Sequence, residues 1–157
     1  MSFIVFPLRS VVTRTSTTLL TAATLSLFGG ASCACAADLT VVVQNIQQDT
    51  GSVMLGLFST PEGFPKAATQ GMLVPAAERD ATGRVTLVLR DLVPGQYAVS
   101  AFHDIDGNGK LNSNLMGMPT EPYGFSNDAQ GQFAPPAFKA AAITLPAQGL
   151  TIQLQVK

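Results

Sequence analysis

Tryptophan is absent, histidine occurs once, and charged residues make up only 12% of the chain. Cysteine occurs twice, at Cys33 and Cys35, and nowhere after them. One histidine and no later cysteine exclude a transition-metal site of the usual His/Cys kind. They also exclude a disulfide framework in the rest of the chain. Beyond residue 37 the basic residues are Lys66, Arg79, Arg84, Arg90, Lys110, Lys139 and Lys157, scattered without a patch, so nucleic acid is not an expected partner. Internal repeats, low-complexity tracts and long amphipathic helical patterns are missing. So is the Gly-x-Ser-x-Gly nucleophile elbow, since Gly124-Phe125-Ser126 is not one.

The first 37 residues differ from the rest. Arg9 and Arg14 are their only charges, an apolar run follows from Leu19 to Ala31, and small residues close it at Ala34-Cys35-Ala36. A positive start, a short apolar middle and an A-x-A site predict a secretory signal peptide over residues 1–37. The run is too short and too rich in Thr and Gly for a membrane span, which needs about 20 apolar residues. A lipidated Cys33 or Cys35 is the second reading; the residues three positions before them are Gly30 and Ser32 rather than leucine. Residues 38–157 then form one exported domain, periplasmic or extracellular, without a span and without cysteine. Its seven basic and ten acidic residues give it a net charge of −3, and burial alone must stabilise it.

From Asp38 onward the chain alternates with a period of two, the strand signal. Leu39, Val41 and Val43 share a face, as do Val53, Leu55 and Leu57, and a hairpin turning at Asp49-Thr50-Gly51 should join segments 39–47 and 52–58. Ser59-Thr60-Pro61-Glu62 reads either as a capped single helical turn or as an irregular loop with Phe64 tucked onto the core. A short strand over Met72–Ala77 precedes the clearest one, with Val85, Leu87 and Leu89 inward. Pro94-Gly95 predicts a type II turn, and Tyr97 just beyond it suggests a tyrosine corner. Tyr97, Val99, Ala101 and His103 should share one face of the next strand. Phe138–Leu145 and a final strand bearing Leu150, Ile152, Leu154 and Val156 complete the set. About seven short strands predict an all-β fold, an antiparallel Greek-key β-sandwich of the immunoglobulin-like or prealbumin-like kind, with a small barrel as the alternative.

One stretch breaks the pattern. His103–Asn127 packs acids, amides, glycines and prolines into a single long Gly/Pro/Asn-rich loop, and compact domains rarely keep loops beyond about 12–15 residues without a use for them. Asp104, Asp106 and Asn108 offer oxygens at alternate positions, with Gly109 sixth, the Lys110 carbonyl seventh and Asn112 ninth. That is the first half of an EF-hand calcium loop. The twelfth position, where a bidentate glutamate belongs, is Leu115. Glu121, Asn114 and Asp128 are the candidates to replace it. The expected cation is calcium, held by Asp104, Asp106, Asn108, Lys110, Asn112 and Glu121. The competing reading is turn chemistry: Asp106-Gly107-Asn108-Gly109 simply reverses a hairpin between 97–105 and 110–115.

Catalytic arrangements are also conceivable. His103 and Asp104 face opposite sides of a strand, which argues against a catalytic pair, and a triad of His103 with Ser126 rests only on residue types common to many domains. Asp104, Asp106 and Glu121 contain the carboxylate pairs of a small envelope-glycan hydrolase. Tyr123, Phe125 and Phe133 read as plugs pinning the loop to the core, with a sugar-stacking platform as the sharper alternative.

Three segments together carry a resemblance: Leu92-x-Pro-Gly-x-Tyr-Ala-Val, His103-Asp104-x-Asp106-Gly107-Asn108-Gly109-Lys110-Leu111, and Gly117-x-Pro119-x-Glu121-Pro122-Tyr123-Gly124-Phe125-Ser126-Asn127. They resemble the bacterial exported domain-of-unknown-function family 2141, over essentially the whole of residues 38–157. Asn112 departs from the aspartate common there. The resemblance implies an exported single-domain protein and no particular reaction. The Leu-x-Pro-Gly-x-Tyr piece is also similar to transthyretin-like sandwiches, which bears on fold alone. The expectation is a non-enzymatic binding or structural module of the cell envelope with an envelope protein or glycan as partner, and the hydrolase as the alternative.

Overall fold

The computed structural model describes residues 36–132 and 134–157. The expected leader lies outside them except for Ala36 and Ala37, and so does Phe133. No helix among the described residues is long and apolar enough to cross a membrane.

The fold is all-β. Its strands are β1 (Ala37–Gln44), β2 (Ser52–Phe58), β3 (Gln70–Pro75), β4 (Val85–Leu92), β5 (Gly95–Asp104), β6 (Tyr123–Phe125), β7 (Ile143–Leu145) and β8 (Leu150–Gln155). One sheet has the order β4-β1-β8. The other has the order β3-β2-β5-β6, with β7 also pairing with β5. Period-two alternation places Leu39, Val41, Val43, Leu87 and Leu89 of the first sheet and Val53, Leu55, Leu57, Val99 and Ala101 of the second in one shared apolar core. Each large aliphatic side chain fully buried there contributes about 1.5–3 kcal/mol. A second cluster under the long loop collects Phe58, Ala98, Phe125 and Ala141, with Phe64, Tyr123 and Phe138 against it. Phe64 lies 5.0 Å edge-on to Phe58, so the irregular-loop reading of Ser59–Phe64 is the one adopted.

Several expectations need correction. Segments 39–47 and 52–58 do not form a hairpin: β1 pairs with β4 and β8, and β2 pairs with β3 and β5. Both carry an apolar face, but those faces meet across the core instead of lying side by side. The pairing is not wholly antiparallel, because β1 and β8 run parallel from Leu39↔Leu150 to Gln44↔Gln155. The strand expected over Phe138–Leu145 splits into a helical turn, α1 (Phe138–Ala141), and β7. β6 arises inside the expected loop, which leaves irregular only the connection from Ile105 to Pro122. At Pro94-Gly95 the glycine does not take positive φ; Asp91 does, at +57°. The tyrosine corner forms all the same, the Tyr97 hydroxyl donating to the Val93 carbonyl at 2.7 Å.

Candidate metal centre

The centre is built at the end of β5. Residues 95–104 form a strand because Val99, Ala101 and His103 bury one face, and Asp104 is carried down with them. His103 is buried and its Nε2 meets the Thr50 carbonyl at 2.8 Å, so it is the strand-end histidine tied to a neighbouring loop. Across from β5, β6 pairs in the register Phe102↔Tyr123, and the His103 amide donates to the Pro122 carbonyl. Continuing that register by two residues sets Glu121 opposite Asp104. Strand pairing therefore brings the Glu121 carboxylate beside Asp104, from outside the twelve-residue spacing.

Three loop N–H groups converge on Asp104. Its Oδ1 accepts from Gly107 at 2.9 Å and Asn108 at 3.1 Å, and its Oδ2 from Gly109 at 2.8 Å. Gly107 and Gly109 make this curl feasible, with φ of +73° and +76°. Successive N–H groups in such a curl form a concave nest for negative charge. Asp104 is only 1% exposed. Glu121, also buried, spans the loop: Oε1 accepts from the Ile105 amide and Oε2 from the Asn112 amide, both at 2.9 Å. Asp106 stands at the solvent side. Its Oδ2 accepts the Asn108 and Asn112 side-chain amides at 2.9 and 2.8 Å, and its Oδ1 the Asn108 backbone amide at 3.2 Å. The Asn112 side-chain amide is the largest cause holding the Asp106 carboxyl below the usual carboxylate range; desolvation opposes it, and smaller contributions from Asn108 and Asp104 add to the lowering.

One ligand atom from each of Asp104, Asp106 and Glu121 lies within 4.8 Å of the others. Calcium–oxygen distances of about 2.3–2.6 Å give a coordination sphere about 4.6–5.2 Å across, so one ion could touch all three. The eight hydrogen bonds to these carboxylates leave about four of their roughly twelve acceptor positions free. Asn108 Oδ1 accepts from the Lys110 amide, and Asn112 Oδ1 accepts from Asn108, both at 2.8 Å. Rotating these two amides would turn oxygens toward the carboxylates in place of nitrogens. Among the described residues the ion pairs are Arg79–Asp49, Arg84–Asp80 and Arg90–Asp38, and no basic side chain reaches the cluster.

Two other candidates face elsewhere. Asn114 caps its own turn, accepting from the Met116 and Met118 amides, and Asp128 accepts from the Gln155 amide. Residues 110–115 do not pair with β5, which rules out the simple hairpin. Leu115, at the twelfth position, is fully exposed. The Ser126 hydroxyl is buried between the Val99 amide and the Val99 and Ala141 carbonyls, far in bonding terms from His103. Asp104, Asp106 and Glu121 line neither of two cavities beside the loop. Tyr123 and Phe125 pack edge-on at 5.9 Å in the aromatic cluster under the loop.

Residues 41–153 match the family described as uncharacterized protein conserved in bacteria (DUF2141). No curated protein and no solved structure matches.

Proposed function

We propose that this chain, which belongs to the DUF2141 family of bacterial proteins, is an exported, non-enzymatic binding module of the cell envelope whose long loop is organised by calcium. The domain is a Greek-key sandwich in this reading, and the loop is the part it displays to an envelope protein or glycan. The leader-like N-terminus supports export.

One observation carries the cation: three carboxylates share a sphere of calcium size, two of them buried, with no basic side chain among the described residues to offset them. Charged carboxylates as close as Asp104 and Glu121 repel by on the order of 3 kcal/mol at an effective dielectric of 20. Backbone N–H groups offset part of this, and a divalent ion offsets the rest. Asp104, Asp106 and Glu121 would be its charged ligands, with Asn108, Asn112 and the Lys110 carbonyl completing the six to eight oxygens calcium takes. The non-enzymatic reading is supported by the placement of these carboxylates, none of which lines either cavity beside the loop.

Thermal melts of the purified protein with calcium and with chelator test this. Calcium at 100 times Kd adds about 2.7 kcal/mol, which raises Tm by about 10 °C for a domain of this size. Asp106→Asn should abolish most of the rise. Superimposable melts with calcium and with chelator would reject the cation.

A further inference from the structure

Beside the acidic cluster, and separate from it, a cavity of about 260 Å³ opens to solvent. Its floor is the outer face of β5 and β6, with Phe102, Tyr123 and Phe125, and one wall is the loop, with Leu111, Met118 and Pro119. We propose that this cavity is a binding site for an uncharged apolar molecule of one or two rings.

Size, lining and exposure argue for it together. A dry apolar cavity of about 150 Å³ suffices for benzene, so this volume suits a somewhat larger ring system and is far too small for a helix or strand of a partner. Among the described residues no charged side chain lines it, and only Ser100, Tyr123 and Gln132 bring side-chain hydrogen-bonding groups. Ions are therefore disfavoured, and a sugar would leave most of its hydroxyls unpaired. Four of the six large apolar residues exposed among the described ones lie between Leu111 and Met118. Two of them, Leu111 and Met118, line this cavity, so an occupant would remove their apolar surface from water. The wall is also held in place. The Asn112 amide donates to Glu121, the Thr120 amide donates to the Asn112 carbonyl at 2.9 Å, and Ser113 bridges to Pro119. Such preformed apolar concavities with a few polar groups are the usual form of small-molecule sites. The Thr120–Asn112 hydrogen bond and the Ser113–Pro119 bridge that shape this wall are made between backbone groups.

The uncharged two-ring naphthalene fluorophore Prodan tests it directly, and the lack of tryptophan keeps the protein's own emission low. Saturable one-to-one binding is expected. Met118→Asp, which puts charge in the wall, should weaken binding about tenfold or more, and Leu111→Ser should weaken it as well. Leu115→Asp changes an exposed apolar residue that does not line the cavity, and it should leave affinity unchanged. Melting curves identify any variant that fails to fold, in which case the remaining wall variant carries the test. Unsaturable binding, equal loss in Leu115→Asp, or unaltered affinity in the folded wall variants would each overturn the proposal.

Discussion

Glu121→Ala removes the group that ties the start of the loop to its middle. In the native protein the buried Glu121 carboxylate accepts the Ile105 and Asn112 amides at 2.9 Å each. Hydrogen bonds to a charged group contribute about 1.5–3 kcal/mol apiece, and an orphaned buried N–H costs about 1–3 kcal/mol. Simple addition overstates the loss, because a loosened loop lets water reach both amides. The expected loss is about 2–4 kcal/mol if the loop and the sheets unfold together. If the loop opens on its own, global stability falls less, and the cost appears as faster local exchange. Urea unfolding and amide hydrogen exchange distinguish the two outcomes. Both require that Ile105 and Asn112 lose protection while core amides such as that of Val99 keep theirs relative to global stability. Unchanged protection at Ile105 and Asn112, with stability within about 0.5 kcal/mol of wild type, falls inside the range of an ordinary surface substitution and would refute Glu121 as the clasp.

Two further predictions concern the frame around the loop. Gly51→Ala should lose more than about 3 kcal/mol in urea unfolding, because the left-handed conformation costs a non-glycine residue about 1–2 kcal/mol and the new Cβ would meet the Asp104 carbonyl oxygen at 1.9 Å; a loss below 1 kcal/mol would refute the close approach. Asp106 has its folded-state pKa lowered, first by the Asn112 amide, so its ionised form contributes stability at pH values above about 3.9 and that contribution disappears as pH falls through the folded-state value. Melting temperatures of wild type and Asp106→Asn without calcium should accordingly converge on acidification below about pH 4, and a gap independent of pH would show that the carboxylate charge is irrelevant.

Much of the fold was readable along the chain. The inward faces of β1, β2, β4 and β5 follow directly from alternation at Leu39/Val41/Val43, Val53/Leu55/Leu57, Val85/Leu87/Leu89 and Val99/Ala101, since a strand has one side to bury. The tyrosine corner was readable because a single side chain reaches back only four residues. Partner choice was not readable. The connection from Gln44 to Ser52 crosses from one sheet to the other, and nothing in its turn-forming residues distinguishes that path from a hairpin. The parallel β1–β8 pair joins the two ends of the domain, and no local pattern encodes such a contact.

The same division runs through the candidate centre. Asp104, Asp106 and Asn108 stand at alternate positions in one loop, so their spacing alone marks them as oxygens able to converge. Which further oxygen lies beside them depends on distance in space, and Glu121, Asn114 and Asp128 are chemically comparable as letters. Pairing of β6 with β5 sets Glu121 opposite Asp104 and leaves the other two facing away. Short-range residue order thus determines which groups are available and how the backbone curls around them. Long-range strand register determines which distant side chain joins them, because it depends on the burial of both strands at once.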